Sequence, residues 1–260
     1  MKNISIFALI AALAATGASA EQTFKPRKSA DGKCRALALS GGANFGAWEV
    51  GVMWGLVHYG DPADFTWDVV TGVSAGAINT AATTVYAPDD SVNMTQFLSD
   101  CWANLHSSDI WQFWAGEGPA RALFNKPGML DTAPAIAFLT RILSGYTEFA
   151  RRFTVAAVDA SGGGYHTFDQ TSIELSELPQ AAFASGSIPA VFPPQHFHGY
   201  VLMDGGTVWD VNVQSAVNQC LEVVENESDI IVDVLVCSES TRPTHEDTSK
   251  HAYTDWMQAR

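Results

Sequence analysis

Twice in its first third the chain leaves a short apolar run through glycine and enters a helical pattern at once. The stretches are "LALSGGANFGAWEVG", beginning at Leu37, and "VVTGVSAGAIN", beginning at Val69. A glycine turn between strand and helix lets backbone N–H groups point at something negative, next to the positive end of the helix dipole. Two parallel neighbours of this kind bring both turns to one edge of a sheet, where ligands of open α/β sheets bind. Alternation of strand and helix continues through most of the chain. The fold class expected from this is an α/β sandwich around a mainly parallel central sheet.

The elements are expected in this order. A strand over 34–40 is followed by a helix over 44–58, whose apolar positions Trp48, Val52, Leu56 and Tyr59 recur at helical spacing. A strand over 67–71 leads into a small-residue helix ending near 86. Helices over 92–105 and 132–143 follow, then two strands joined by a glycine-rich turn at 161–164. A helix begins near 176, and strands at 200–203 and 230–237 close the pattern.

Residues 1–20 stand apart. Lys2, an apolar run from Ile4 and the close Ala18-Ser19-Ala20 make the pattern of a secretory signal peptide, so export is expected. Residues 21–33 read as a lead-in, 34–240 as one domain, and 241–260 as a polar tail that would continue into something further. The balance of 14 Lys and Arg against 28 Asp and Glu, a net charge of −14, argues against nucleic acid and against docking through a polybasic patch. Cys34, Cys101, Cys220 and Cys237 allow three disulfide connectivities in an exported protein, and Cys34 and Cys237 fall on expected strands where they could equally be buried thiols. Cysteine and histidine spacing fits no metal motif, and neither a metal nor a cofactor is expected.

Gly72-Val73-Ser74-Ala75-Gly76 is a G-x-S-x-G between an expected strand and an expected helix, the context that makes Ser74 a nucleophile on a sharp elbow. The turn at Gly41, Gly42 and Ala43 would then supply oxyanion donors, each worth roughly 3–4 kcal/mol when well placed. A phosphate is the rival ligand. A Walker turn needs a lysine, and none lies between Cys34 and Tyr86; a dinucleotide fingerprint needs glycine at its third position, where Ala43 stands, although Gly46 is in place. The oxyanion is preferred. A histidine base is the less favoured reading: His245 and His251 are in a polar tail with no strand to hold them, His196 and His198 follow a proline-rich loop and could be surface residues, and His166 is in a hairpin strand. Asp204 ends an apolar strand and is followed by Gly205 and Gly206.

Taken together, the glycine turn, the G-x-S-x-G and the D-G-G resemble the patatin-like phospholipase family. "AAFASGSIPAVFPPQHFHGYVLMDGG", "KPGMLDTAPAIAFLTRIL" and "FTVAAVDASGGGYHTFD" extend the resemblance over roughly 35–237. It implies a three-layer α/β/α sandwich with a mainly parallel central sheet, Ser74 as nucleophile, Asp204 as its partner in a Ser–Asp dyad, the turn at Gly41–Ala43 as oxyanion hole, and acyl hydrolysis of lipid esters. Two departures stand out: Ala43 replaces a glycine of the family's turn and Phe45 its basic residue. The alanine is compatible with an amide donor provided φ stays negative. Free aspartate is a weak base, and burial makes such a carboxylate more basic.

Trp102, Trp111, Phe113, Trp114 and Phe124 crowd a glycine-broken segment, and read either as an interfacial lip or as core under a loop. The expected partner is a lipid substrate at a membrane or micelle surface. The reading is a secreted serine esterase of phospholipase A type acting on phospholipids or lysophospholipids. An acyltransferase using the same acyl-enzyme, and a non-catalytic lipid-binding or storage protein, are the alternatives.

Overall fold

The structure is a computed structural model that describes residues 31–237. The leader, most of the lead-in, the tail, His245 and His251 lie outside the described residues. Seven strands form one sheet: β1 (Cys34–Leu39), β2 (Val69–Val73), β3 (Arg152–Asp159), β4 (Tyr165–Asp169), β5 (Gln195–Phe197), β6 (Tyr200–Asp204) and β7 (Ile230–Leu235). Helices are α1 (Gly46–Tyr59), α2 (Ala75–Thr83), α3 (Ser91–Ala103), α4 (Ser107–Ile110), α5 (Pro119–Asn125), α6 (Ala133–Leu143), α7 (Leu178–Ser185) and α8 (Val213–Leu221).

The strands run β5-β6-β3-β2-β1-β7, with β4 also on β3. The heart, β3-β2-β1-β7, is parallel, and antiparallel β4 and β6 make the whole sheet mixed. Alternation along the strands feeds both faces. Leu37, Leu39 and Val70 pack with α1 and α3, while Cys34, Ala36 and Val69 pack beneath α8. A third cluster joins β3 to α2, α6 and α7. Helices thus cover both faces, and the three layers follow.

One detail of register positions the site. β2 pairs with β3 from Val69 opposite Arg152 up to Val73 opposite Ala156. β6 runs the other way and pairs with β3 from Leu202 opposite Asp159 to Asp204 opposite Ala157. Because β4 holds the other edge of β3 over Thr154–Val158, β2 and β6 must share the remaining edge and meet end to end on it. Ser74 and Asp204 are the residues at that junction.

Several expectations are corrected. In α1 the buried residues are Gly46, Glu49, Val50, Met53 and Val57, while Trp48 and Tyr59 are exposed and Val52 and Leu56 only partly covered. This helix is apolar on several sides, so periodicity alone selects the wrong stripe. The second strand starts two residues later than expected, because Trp67 is buried against the sheet with its indole N–H on Asp233 Oδ2 (2.7 Å). α4, α5, β5 and α8 were not expected; the first three are seven residues or shorter, whereas α8 carries an apolar stripe at helical spacing, Val213, Ala216, Val217, Cys220 and Leu221, that marks it in the sequence.

Cys34 is bonded to Cys220, and Cys101 and Cys237 are free thiols, Cys237 lying partly exposed beyond the end of β7. The cross-link ties β1 to α8 across 186 positions of sequence. Closing so long a loop restricts the unfolded chain severely. Cys220→Ala is expected to lower the unfolding free energy by about 2–5 kcal/mol. Urea melts should show a lower midpoint, and reductant should destabilise the wild type but not the variant.

Candidate active site

Ser74 follows the last residue of β2 and precedes α2, with φ 53° and ψ −118°. A non-glycine residue in that region is strained, and the elbow survives because its surroundings leave no alternative. A β-carbon on Gly76 would stand 2.6 Å from the carbonyl oxygens of Leu39 and Ser40, and one on Gly72 would strike the Gly76 carbonyl. Strand β1 and helix α2 therefore touch backbone to backbone, with Gly76 N–H donating to Ser40 O (3.1 Å). Ser185, on α7, completes the support: Ser74 N–H donates to its Oγ (2.8 Å), which itself donates to Ala156 O (2.5 Å).

The Ser74 hydroxyl donates to Asp204 Oδ2 at 2.7 Å. Asp204 Oδ1 accepts from Gly206 N–H at 2.8 Å, and Gly205 presses so closely on Ala156 O that a β-carbon would come within 2.5 Å of it. Both members are sequestered, Ser74 being 7% and Asp204 6% exposed. Among the described residues no histidine bonds to Ser74. His106 lies in α4's cap and in the cavity wall, His58 stacks on Trp54, His166 stacks against Tyr200, and His198 pairs with Glu177.

The glycine turn lies beside this pair. Gly41 N–H is already engaged: it donates to Asp210 O (3.2 Å) and to Asp210 Oδ1 (3.1 Å). The amides of Gly42 and Ala43 have no acceptor among the described residues, and Ala43 lines the cavity with Ser74. Ala43 has φ +51°, where a negative value was expected. A left-handed alanine costs roughly 1–2 kcal/mol, which the family's usual glycine would not incur. The turn is braced from behind by Ser40, whose hydroxyl donates to Gly41 O (2.9 Å) and accepts from Cys237 N–H (2.7 Å). Partial burial raises the Asp210 carboxyl above its ordinary value, opposed by the Gly41 N–H.

A cavity of about 470 Å³ opens from Ser74, walled by Ala75, Ile78, Trp111, Leu139, Phe183 and other apolar groups. Its size and lining suit an apolar ligand. Trp102 and Trp111 belong to this wall; Trp114 is pinned by its indole N–H on Gly128 O (3.0 Å), and Phe113 and Phe124 are exposed. The aromatic segment is thus divided between cavity wall and exposed surface. Among the described residues no group of three or more His, Cys, Asp or Glu side chains is arranged to hold a metal ion.

Sequence reasoning missed Ser185, Asp210 and Glu49. Ser185 lies in the "FASGSIP" run that carried the family resemblance, and Asp210 comes six residues after Asp204, but neither spacing reveals a partner. Glu49 is fully buried in α1 beneath the turn. Its Oε2 accepts from Asn79 Nδ2 (2.9 Å), which also donates to Gly46 O (3.0 Å), while Asn79 Oδ1 accepts from the indole of Trp102 (2.8 Å). Oε1 has no partner.

A profile for the patatin-like phospholipase family matches residues 37–217. Among solved structures, the crystal structure of VipD from Legionella pneumophila is similar at a TM-score of 0.43 and 13% identity, over 80% of this chain and 52% of that one. The chain therefore spans about half the length of that structure. No curated protein matches it.

Burial pushes the Glu49 carboxyl up from 4.5 to about 7, against the Asn79 hydrogen bond, with the Asp210 charge adding to the rise and Cys237 nearby opposing it. The folded protein then holds a proton that the unfolded chain releases between these values. Stability should be greatest below pH ~4.5 as far as this group is concerned, and fall by up to about 1.4 kcal/mol per pH unit until pH ~7. Glu49→Gln should flatten that slope in urea unfolding measured from pH 5 to 8.

Proposed function

Because this chain belongs to the patatin-like phospholipase family, a family of lipid acyl hydrolases, we propose that it cleaves fatty-acyl esters of phospholipids or lysophospholipids through a dyad of Ser74 and Asp204. The observation that carries the reading is the 2.7 Å hydrogen bond from Ser74 Oγ to Asp204 Oδ2 at the wall of an apolar cavity. Such a cavity suits an acyl chain, with the ester carbonyl at Ser74.

The proton of the Ser74 hydroxyl passes to Asp204 Oδ2 as Oγ attacks the ester carbonyl carbon. Negative charge gathers on the carbonyl oxygen, where the Gly42 and Ala43 amides are the available donors; Gly41 serves instead to hold the turn through Asp210. Collapse of the tetrahedral species breaks the ester bond, and the proton moves from Asp204 to the leaving alkoxide. Water then attacks the acyl-enzyme, gives one proton to Asp204, and releases the fatty acid as that proton returns to Ser74. Gly206 N–H holds Asp204 Oδ1, and Oδ2 faces the serine hydroxyl.

Two further parts of the reading have separate support. A Cys34–Cys220 bond persists in oxidising compartments, which agrees with the leader-like residues 1–20 and with export. Action at a lipid surface is supported by the exposed rings of Phe45, Trp48, Phe113 and Phe124.

Ser74→Ala should abolish both labelling by a fluorophosphonate and fatty-acid release. Asp204→Asn, which retains the shape but cannot take the proton, should lose at least ~10³-fold in kcat. His106→Ala should keep more than a tenth of wild-type turnover on a soluble ester. A folded His106→Ala protein as dead as Ser74→Ala would overturn the dyad.

A further inference from the structure

The charged residues of this protein are segregated along the strands. From Ala36 to Ala120, and again from Phe153 to Cys237, there is no lysine or arginine. The basic residues that do occur in the sheet region, Lys33, Arg35, Arg151 and Arg152, sit at or just before the starts of β1 and β3. Ser74, the glycine turn and the loop after β6 lie at the opposite edge, where strands β1 and β2 end. The turns at that edge, 41–46, 74–76 and 204–210, contain no lysine or arginine, and Phe45 stands in the first of them; Arg121, Lys126 and Arg141 belong to the helical segment that walls the cavity, where Lys126 lies over the Trp114 ring (5.5 Å) and Arg141 over the Phe138 ring (5.3 Å).

What the edge does carry is aromatic and acidic. Trp209 and Asp210 follow directly on the loop that holds Asp204. The rings of Trp209 and Tyr165 are 5.1 Å apart and inclined at 57°, with the Tyr165 hydroxyl on Trp209 O (3.4 Å) and Trp209 N–H on Gly205 O (3.1 Å). The indole is 58% exposed despite these anchors. Asp210 turns Oδ1 inward to Gly41, and Oδ2 has no partner among the described residues. The carboxylate adjoins the nucleophile: a β-carbon on Gly41 would collide with it and stand 3.0 Å from Ser74 Cβ. Tyr165 is close enough to Asp210 and Asp204 for both charges to raise its hydroxyl pKa, beyond the effect of burial.

We propose that Trp209, Tyr165 and Asp210 form a subsite for the cationic head group of a zwitterionic lipid, a quaternary or primary ammonium as in choline or ethanolamine phospholipids. This rests on the acyl-hydrolase reading only for the placement of the ester at Ser74. An ammonium over an exposed indole face gains a cation–π contact, and a neighbouring carboxylate supplies the opposite charge. The subsite lies on the same loop as Asp204, so the head group would be held a short distance from the acyl ester being cleaved.

The test is equilibrium binding to the full chain carrying Ser74→Ala, by calorimetry, with monomeric dihexanoyl phosphatidylcholine and dihexanoyl phosphatidylglycerol. The choline lipid should bind about tenfold more tightly, the equivalent of one good cation–π and ion-pair contact. Because the whole protein is acidic, the comparison is repeated in 1 M salt, which screens long-range repulsion but not ring contact. Trp209→Ala should bring the ratio within about twofold, Trp209→Tyr should restore most of it, and Asp210→Asn should lower it while keeping an acceptor for Gly41.

Equal affinities, a preference for the glycerol lipid, loss of the preference in 1 M salt, or a preference that survives Trp209→Ala would each overturn the subsite. Turnover of p-nitrophenyl butyrate and both lipids by the unmodified chain is measured in parallel. Absence of all turnover counts against the hydrolase reading alone, and the binding ratio still decides the subsite.

Discussion

Two strands meeting end to end on one edge of β3 are what the rest of the site depends on. β2 stops at Val73, opposite Ala156, and antiparallel β6 takes over the edge with Asp204 opposite Ala157. Side chains that are 130 positions apart in sequence are thereby brought to adjacent registers of a hydrogen-bonded sheet. Their approach is fixed by backbone pairing, which rotamer changes in the surrounding core do not alter. The seam between the strands is closed by Ser185, which ties the Ser74 amide to the Ala156 carbonyl. A buried backbone group left unpaired there would be costly.

The segments on either side of this seam are joined at both ends of the sheet. At the site edge, Gly41 after β1 is held by Asp210, in the segment that leads into α8. At the opposite edge the start of β1 is bonded covalently to α8 through Cys34 and Cys220. Strain at Ser74 and Ala43 is carried by this frame, and the close glycine contacts between β1 and α2 transmit it to the core.

Much of this was legible in the residues alone, where local chemistry dictates geometry. Gly72-x-Ser74-x-Gly76 requires a strand before it and a helix after it, and both are there. Asp204 followed by two glycines places a carboxylate at a strand end, which is where it lies. What was not legible came from contacts between distant segments. Trp48 and Tyr59 satisfy helical spacing as well as Met53 and Val57 do, and only the position of α3 and the sheet decides which pair is covered. Glu49 would be placed on the wet side of α1 by any polarity rule, yet Asn79 and the underside of the turn enclose it. Asp210 has no local signature for its bond to Gly41, and four cysteines leave their pairing open until β1 and α8 are seen to be adjacent.

The segregation of charge along the strands also bears on the direction of flow through the site. Ester hydrolysis turns an uncharged carbonyl into a carboxylate. In this cavity that new anion would appear beside Asp204 and near Asp210, and the turns 41–46, 74–76 and 204–210 around it carry no lysine or arginine. On the function proposed above, the carboxylates that face a neutral ester at this edge would repel the acid made from it, and product departure would be favoured by the same groups.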